Sequence, residues 1–413
     1  KNKDQFFTPA SITKLFTAST ALLVLKPDFK FYTSLYLTGK IKQGTLAGNV
    51  YIKFTGDPTL TSKQLNTLIL QLKKNHIHSI NGHLYIDANS FDNNYYPSGT
   101  TVDDINFNYA APISSVIINR NAFNILIHIT PSELKKVTLS SPTTPSITYH
   151  NKLKLEKSPD CTPTINSNML NNYTLQGCIK NPNKAEEITL PLAIRNPLLS
   201  ADKTIVMLLK QNSISAPHGI LYASTPDSAR LLAQTESPPL SKLINQMLKH
   251  SDNLIANSLT KTLGHLKTGK PGSWRSGVNV IKETLADRAH INPEHIHLLD
   301  GAGISRYNLT TAQTIAHLLQ FIQKTPVLEK YLIPALPIAG HDGTLTYRMK
   351  NLHHNESFRA KTGTLTGVSN LAGYLTTRNN KHYIVVILAD NFTSKANSIR
   401  QIEDKMVLAL ANQ

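Results

Sequence analysis

The chain has 413 residues, a length that favours two or three domains over one hydrophobic core. Its 40% hydrophobic and 7% aromatic residues are ordinary for a globular protein and exclude disorder of the whole chain. A formal charge of +17 favours acidic partners, but the basic residues are scattered and no RNA-binding aromatic pattern accompanies them, so we expect no nucleic-acid binding.

The first half of the sequence predicts one helix followed by many strands. Residues 11–25, "SITKLFTASTALLVL", read as a helix, which is interrupted by polar residues and is shorter than the ~18 apolar residues needed to span a membrane. From about 31 to 240, short runs such as "GNVYIKFTG" and "NAFNILIHIT" alternate in hydrophobicity and are separated by turn residues, which predicts strands. A single helical stretch, "TSKQLNTLILQLKKNH", interrupts them.

Helices return after residue 240. Four helical stretches are followed by three strands, "SFRAKTG", "SNLAGYLTT" and "HYIVVILAD", and by a last helix, "SKANSIRQIEDKMVLALA". The simplest arrangement is one α/β domain built from residues 1–32 and 240–413 and interrupted by a mainly β insertion over 33–239. A segment rich in Pro, Asn, Ser and Thr, roughly 140–195, is predicted to form a second subdomain of the insertion.

The only two cysteines, Cys161 and Cys178, lie in that segment. A disulfide between them would close a short loop and indicate an oxidising compartment. Two unrelated buried thiols are the alternative. We favour the disulfide because no histidine or third cysteine nearby suggests a metal site, and none of the sixteen histidines forms a zinc-binding helical pattern.

Ser11 and Lys14 form an S-x-x-K motif at the predicted start of the first helix. Residues three apart share a helix face, so the Lys14 amine can approach the Ser11 hydroxyl and act as its base. The backbone N–H groups at a helix start would stabilise an oxyanion there. Alone, the motif is common and is better explained by a capping serine and a solvated lysine.

Two further triplets carry polar groups that suit a hydrolytic site. Ser251-Asp252-Asn253 lies at the break between two helices, where its serine could relay a proton and Asn253 could bind an amide, although such triplets usually only cap a helix. Lys361, Thr362 and Gly363 end a predicted strand, where Lys361 and Thr362 could hold a carboxylate and Gly363 could leave space for a substrate backbone. The alternative is a tight turn with an exposed lysine.

A second Lys-Thr-Gly occurs within "LGHLKTGKPGSW", at residues 267–269. No predicted strand presents it, and the same stretch has Pro271 where a phosphate-binding loop needs Ser or Thr. We interpret it as a helix C-terminus that is closed by Gly264 and Gly269 and has no catalytic role.

The three motifs in the order S-x-x-K, S-D-N, K-T-G are the set found in β-lactamases and penicillin-binding proteins. Together with "PASITK", "FTGDPTL", "GHLYIDANSFD", "DGAGISRYNLT", "LPIAGHDGTLTYRM" and "AKTGTLTGVSNLAGYLTT", they resemble class C low-molecular-mass penicillin-binding proteins of the penicillin-binding protein 4 type. These are D-alanyl-D-alanine carboxypeptidases and endopeptidases. The β-lactamases of similar motif lack the large insertion between the first two motifs.

The resemblance implies an α/β fold: a β-lactamase/transpeptidase-like catalytic domain with an antiparallel sheet covered by helices on both faces. In this family strands precede the nucleophile, whereas only ten residues precede Ser11, so we expect N-terminal strands of the sheet to be missing from the numbered chain. It also implies export to the periplasm. The oligomeric state is left open, with a homodimer as one option.

The resemblance further implies that Ser11 attacks a D-Ala–D-Ala type bond with Lys14 as base, while Ser251 passes a proton to the leaving amine. The backbone N–H groups of Ser11 and Thr364 would hold the oxyanion. The expected substrates are peptidoglycan stem peptides and cross-links, β-lactams are expected as covalent inhibitors, and neither a metal nor an organic cofactor is required.

The family also recognises diaminopimelate in wall peptides. By position, Asp104 would pair with its amine, Arg306 would pair with its carboxylate, and Tyr109 would pack on the stem. Ordinary surface ion pairs and a core tyrosine are the alternatives. Two other functions compete with the carboxypeptidase: a β-lactamase-like hydrolase, and a catalytically silent peptidoglycan-binding protein, against which the three intact motifs argue.

Overall fold

The computed structural model describes residues 1–130, 136–140, 145–156, 161–180, 186–353 and 356–413. The chain divides into two compact units, each assembled from separate segments. The first unit contains residues 1–30, 90–100 and 238–413, and the second contains residues 31–89 and 101–237. No helix within the described residues is both long and apolar enough to cross a membrane.

The α-helices of the described residues are α1 (Thr13–Val24), α2 (Ser62–Lys74), α3 (Pro197–Gln211), α4 (Leu240–His250), α5 (Asn253–Thr268), α6 (Trp274–Ala289), α7 (Ala312–Lys324), α8 (Pro326–Leu332) and α9 (Ala396–Ala411). The strands are β1 (Phe6–Phe7), β2 (Tyr32–Leu37), β3 (Lys40–Lys42), β4 (Thr45–Ala47), β5 (Val50–Phe54), β6 (Ser79–Ile80), β7 (Leu84–Asp87), β8 (Ala122–Thr130), β9 (Lys136–Ser140), β10 (Thr148–Glu156), β11 (Pro163–Ser167), β12 (Asn172–Lys180), β13 (Glu186–Ala193), β14 (Ile220–Tyr222), β15 (Arg230–Glu236), β16 (Ile296–His297), β17 (Leu309–Thr311), β18 (Ser357–Leu365), β19 (Val368–Thr376) and β20 (His382–Asp390).

The first unit is built on an antiparallel sheet in the order β18-β19-β20. Side chains alternate between the two faces of a strand, so Leu371 and Tyr374 of β19 point to opposite sides. Leu371 belongs to the core cluster that includes Val407 of α9, whereas the Tyr374 hydroxyl donates to the carbonyl of Leu319 in α7. Helices therefore cover both faces of the sheet, which confirms the predicted fold class.

The second unit contains two groups of sheets. A five-stranded sheet, β14-β7-β5-β2-β15, shares a core with α2 and α3. Two three-stranded sheets, β13-β8-β9 and β10-β12-β11, share a second core around Tyr173. This unit is mainly β, and it contains the disulfide between Cys161 and Cys178.

The prediction of a single helix between residues 31 and 240 was wrong, because α3 is a second helix of that region. Its start carries a clear signal: the Asn196 side chain accepts from the Leu199 N–H, and Pro197 occupies the first turn, where its missing N–H costs nothing. The buried side chains Ala201, Ile205 and Leu208 follow at helical spacing.

Residues 90–100 group with the first unit, although the sequence interpretation placed them in the insertion. The buried Lys261 amine explains this grouping, because it donates to the Asp92 carboxylate at 2.6 Å and to the Asn94 carbonyl at 2.7 Å. The amine also lies 4.7 Å from the centre of the Trp274 ring, a cation–π distance. The segment is thus fixed to α5 and α6.

The prediction that Gly264 and Gly269 close this helix was wrong for Gly264, because α5 continues to Thr268, and right for Gly269. Gly269, with φ +66°, ends the helix in the left-handed conformation. Gly264 instead permits close packing of α5 and α6, since a Cβ on it would lie 2.2 Å from the Ser276 hydroxyl and 2.7 Å from the Gly277 nitrogen. The second Lys-Thr-Gly accordingly forms the end of a helix.

Candidate active site

Ser11 lies in a short 3-10 turn, Ala10–Ile12, directly before α1. The turn passes so close to Gly303 that a Cβ there would lie 1.8 Å from the Ala10 carbonyl oxygen. Gly303 also has φ +83°, a backbone conformation that favours glycine. The turn that carries Ser11 is therefore held from outside its own helix.

The Lys14 side chain is fully buried and points at Ser11. Its amine donates to the Ser11 hydroxyl at 2.9 Å, to the Asn253 amide oxygen at 2.6 Å and to the Ala302 carbonyl at 2.7 Å. Burial lowers the pKa of Lys14 to about 7, against the opposing attraction of the carboxylates of Asp300 and Asp252. A large fraction of this amine is therefore neutral near pH 7 and able to accept a proton.

Asp300 organises the loop that supplies one of the Lys14 contacts, and the sequence interpretation did not single it out. Its fully buried carboxylate accepts from the backbone N–H groups of residues 302–304 at 3.0–3.3 Å and from the Asn308 side chain. These bonds fix the carbonyl of Ala302 against the Lys14 amine. The signal was the Asp-Gly-Ala-Gly turn, where a buried acid followed by glycines is typical of a carboxylate that caps its own loop.

Ser251 and Lys361 form a second hydroxyl–amine pair. Ser251 ends α4 with φ +56°, and Asp252 begins α5 by accepting from the Ile255 N–H. The Lys361 amine donates to the Ser251 hydroxyl at 3.0 Å and to the Thr362 carbonyl at 2.9 Å. The Lys361 side chain is fully buried, so the alternative of an exposed lysine in a turn is excluded.

The electrostatics of the two lysines are coupled. Burial, and then repulsion by the charge of Lys14, lower the pKa of Lys361 well below its usual range. Protonating both enclosed amines would place two like charges close together away from water, which is energetically unfavourable. The pair of amines therefore disfavours carrying two positive charges at once, which leaves one amine able to accept a proton from a neighbouring hydroxyl.

Gly363 has a packing role in β18. A Cβ on Gly363 would lie 2.6 Å from the carbonyl oxygen of Pro9 and 3.3 Å from the Ala10 side chain. The sequence interpretation reserved this space for a substrate backbone, whereas the structure fills it with the turn that carries Ser11. The strand residues on either side, Thr362 and Thr364, are accessible.

A cavity of about 260 Å³ connects these motifs. The motif residues that line it are Ser11, Ser251 and Thr362, together with the neighbouring Thr364. Three further lining residues were not named by the sequence analysis: Thr344, Arg348 and Arg400. The hydroxyl of Thr362 donates to that of Thr344 at 2.8 Å. The cleft thus combines two hydroxyl–amine pairs with a polar wall, an arrangement suited to acyl transfer through a serine.

The residues predicted to bind diaminopimelate lie in both units. In the second unit, the Asp104 carboxylate accepts from the Tyr109 hydroxyl at 2.8 Å and from the Thr101 hydroxyl at 2.7 Å. Tyr109 is 47% exposed, so it is not a core tyrosine. In the first unit, the Arg306 guanidinium donates to the Thr366 carbonyl at 3.1 Å, just beyond β18.

Comparison with known proteins gives concordant results. The sequence pattern of the D-Ala-D-Ala carboxypeptidase 3 (S13) family matches residues 1–413. The D-alanyl-D-alanine carboxypeptidase DacB of Haemophilus influenzae is 31% identical over 386 residues, which cover 91% of this chain and 78% of the relative. A D-alanyl-D-alanine carboxypeptidase of Actinomadura sp. is 27% identical over 382 residues, covering 89% of this chain and 70% of the relative.

Solved structures agree with the sequence match. The crystal structure of penicillin binding protein 4 from Haemophilus influenzae superimposes with a TM-score of 0.91 at 31% identity, covering 100% of this chain and 93% of that one. The same protein complexed with a β-lactam gives a TM-score of 0.85 at 30% identity over the same shares. The order of the three motifs, their meeting at one cleft and these similarities lead to one conclusion: the chain belongs to the D-Ala-D-Ala carboxypeptidase 3 (S13) family.

Proposed function

We propose that this serine D-alanyl-D-alanine carboxypeptidase hydrolyses peptidoglycan stem peptides and cross-links through an acyl-enzyme on Ser11. The observation that carries the proposal is the 2.9 Å hydrogen bond between the buried Lys14 amine and the Ser11 hydroxyl. A serine needs a neighbouring base to become a nucleophile at neutral pH, and Lys14 has its pKa lowered to about 7.

Acylation then proceeds in balanced steps. The neutral Lys14 amine takes the proton as the Ser11 oxygen bonds to the carbonyl carbon, and the backbone N–H groups of Ser11 and Thr364 hold the oxyanion. The C–N bond breaks as the Ser251 hydroxyl, which lies 3.0 Å from the Lys361 amine, gives its proton to the leaving amine and regains the proton that Lys14 took from Ser11. The Asn253 side chain, bonded to Lys14 at 2.6 Å, orients the base and the substrate amide.

Deacylation repeats this chemistry with water. A water molecule loses a proton to the neutral Lys14 amine as its oxygen attacks the ester carbon, and that proton returns to the Ser11 oxygen as the C–O bond breaks. A β-lactam acylates Ser11 in the same way, but its opened ring remains attached where a peptide leaves. We therefore propose that β-lactams are covalent inhibitors, in keeping with the β-lactam complex of the Haemophilus influenzae relative.

Labelling with a fluorescent penicillin tests the nucleophile. Ser11→Ala is expected to abolish covalent labelling and release of D-Ala, while the protein stays folded because the Ser11 side chain caps no helix. Labelling of a folded Ser11→Ala protein at another serine would overturn the assignment.

The lifetime of the wild-type adduct separates a carboxypeptidase, with a persistent adduct, from a β-lactamase-like hydrolase, with rapid turnover. A silent wall-binding protein would give no adduct.

Two proposals concern the binding of diaminopimelate by single residues. Each is argued from contacts within one of the two units. Arg306 is proposed to bind a carboxylate of this residue, because its guanidinium is held beside the loop that follows β18. Asp104 is proposed to bind the amine, because the hydroxyls of Thr101 and Tyr109 fix its carboxylate in one orientation. The exposed ring of Tyr109 is proposed to pack on the peptide stem.

Substrate preference tests these proposals. Wall peptides with a free diaminopimelate end are expected to be cleaved at least about tenfold better than diacyl-Lys-D-Ala-D-Ala, since charged hydrogen bonds contribute about 1.5–3 kcal/mol each. Asp104→Ala should reduce that preference and leave penicillin acylation unchanged. A variant that keeps the full preference would contradict the role of Asp104.

Since a disulfide suits an oxidising compartment, we propose the periplasm as the place of action.

A further inference from the structure

The cleft contains a cation that the three motifs do not account for. Of the basic side chains around the nucleophile, Lys14 and Lys361 are fully buried and donate to protein groups. Arg348 lines the cavity but is 14% exposed, and it donates to the carboxylates of Glu403 and Asp404 at 2.7 and 2.6 Å. Its charge is therefore already matched.

Arg400, near the start of the last helix α9, differs from these three. Its side chain is half-buried and lines the cavity, and its guanidinium donates to the Thr364 hydroxyl at 3.3 Å. Within the described residues, no carboxylate forms an ion pair with it, because the acids one turn further along α9 are occupied by Arg348. A guanidinium held by one neutral hydroxyl retains donors for an anion.

The wall beside Arg400 suits one kind of anion. The hydroxyls of Thr362 and Thr344, 2.8 Å apart, line the same cavity as the guanidinium, and so does Ser251. Hydroxyl donors together with the planar fork of an arginine match the two oxygens of a carboxylate. In a peptide that ends in D-Ala, the leaving residue carries a free carboxylate next to the bond that is cut, and so does the leaving residue of a cross-link to the D-centre of diaminopimelate.

We propose that Arg400 binds the carboxylate of the leaving D-amino acid and makes the enzyme select substrates with a free acid at that position. The proposal rests on the proposed peptidase function. It assigns the charged contact to a residue outside the three motifs, because the Lys361 amine is directed at Ser251 and the Thr362 carbonyl. Thr364 holds the guanidinium in place, so β18 and α9 jointly form the carboxylate site.

The test pairs a substrate change with a residue change. Release of the last residue is measured as kcat/KM for diacetyl-L-Lys-D-Ala-D-Ala and for the same peptide with a C-terminal amide. In Arg400→Ala, kcat/KM for the acid should fall about 10- to 100-fold, the range for a hydrogen bond to a charged group, while the amide should change less than about twofold. Arg400→Lys, which keeps the charge but not the fork, should lie between the two.

Lys405→Ala is the matched control, because Lys405 is an exposed cation on the same helix and does not line the cavity. It should leave both rates within about twofold. Equal losses for acid and amide in both Arg400 variants would overturn the proposal in favour of a structural role, and unchanged rates would overturn it outright. Wild-type protein that neither releases D-Ala nor labels with penicillin would instead contradict the peptidase function itself.

Discussion

A lysine whose pKa is about 7 makes the reactivity of Ser11 depend on pH in the physiological range. Lys14 must be neutral to accept the proton, and its protonated fraction grows as the pH falls. The rate of acylation by penicillin should therefore rise with pH and reach half of its plateau near pH 7. Stopped-flow labelling between pH 5 and 9 measures the profile, and a rate that is flat across this range would contradict Lys14 as the base.

Asp252→Asn offers a matched variant for the same measurement. Asparagine caps a helix about as well as aspartate, so α5 should begin normally. The Asp252 charge raises the pKa of Lys14, so its removal should lower that pKa and move the midpoint of the profile to lower pH. A midpoint that stays in place or moves upwards would mean that another group controls the profile.

At the scale of elements, a glycine within α5 and the glycine that follows its last residue have different roles. Gly264→Ala should lower the free energy of unfolding by about 1–3 kcal/mol or more, because the new Cβ meets Ser276 and the Gly277 backbone of α6. A Cβ at position 269 would meet no atom within 4 Å. Gly269→Ala should therefore lower the free energy of unfolding by only about 1 kcal/mol, the cost of an alanine in the left-handed conformation. Denaturant unfolding of both variants measures the difference, and equal losses would contradict the close contact of α5 and α6.

Elements with strong local signals could be predicted from the sequence, and those that depend on distant contacts could not. The helix after Ser11 is a continuous, largely apolar run of twelve residues, and residues 357–360 of the strand that carries Lys361 alternate between partly and fully buried. The extension of α5 beyond Gly264 depends on α6, which a local pattern does not contain. Likewise Arg400 belongs to an ordinary amphipathic helix, and only the folded sheet brings it to Thr364.

For the whole molecule, the disulfide should stabilise only the unit that contains it. Cys161 and Cys178 are 17 residues apart, and closing a loop of that length contributes about 3 kcal/mol in the chain-entropy description. The double variant Cys161→Ser, Cys178→Ser should lose about that much stability in the unfolding of the second unit, residues 31–89 and 101–237. Penicillin acylation should stay within about twofold, because Ser11 and its partners lie in the other unit. A large loss of acylation would show that the two units depend on each other.

The chain order of the first unit also sets when the enzyme becomes active during its synthesis. The Asn370 side chain donates to the carbonyl of Thr8 across 362 residues, and the Thr8 N–H donates to Asp390 across 382. Chains emerge N-terminus first, so Ser11 and Lys14 are made long before the residues that enclose them. Until then the lysine is hydrated and fully protonated, and the serine is an ordinary alcohol. A nascent chain that still lacks the strands around Asn370 and Asp390 therefore has no assembled site with which to cut wall peptides or capture penicillin.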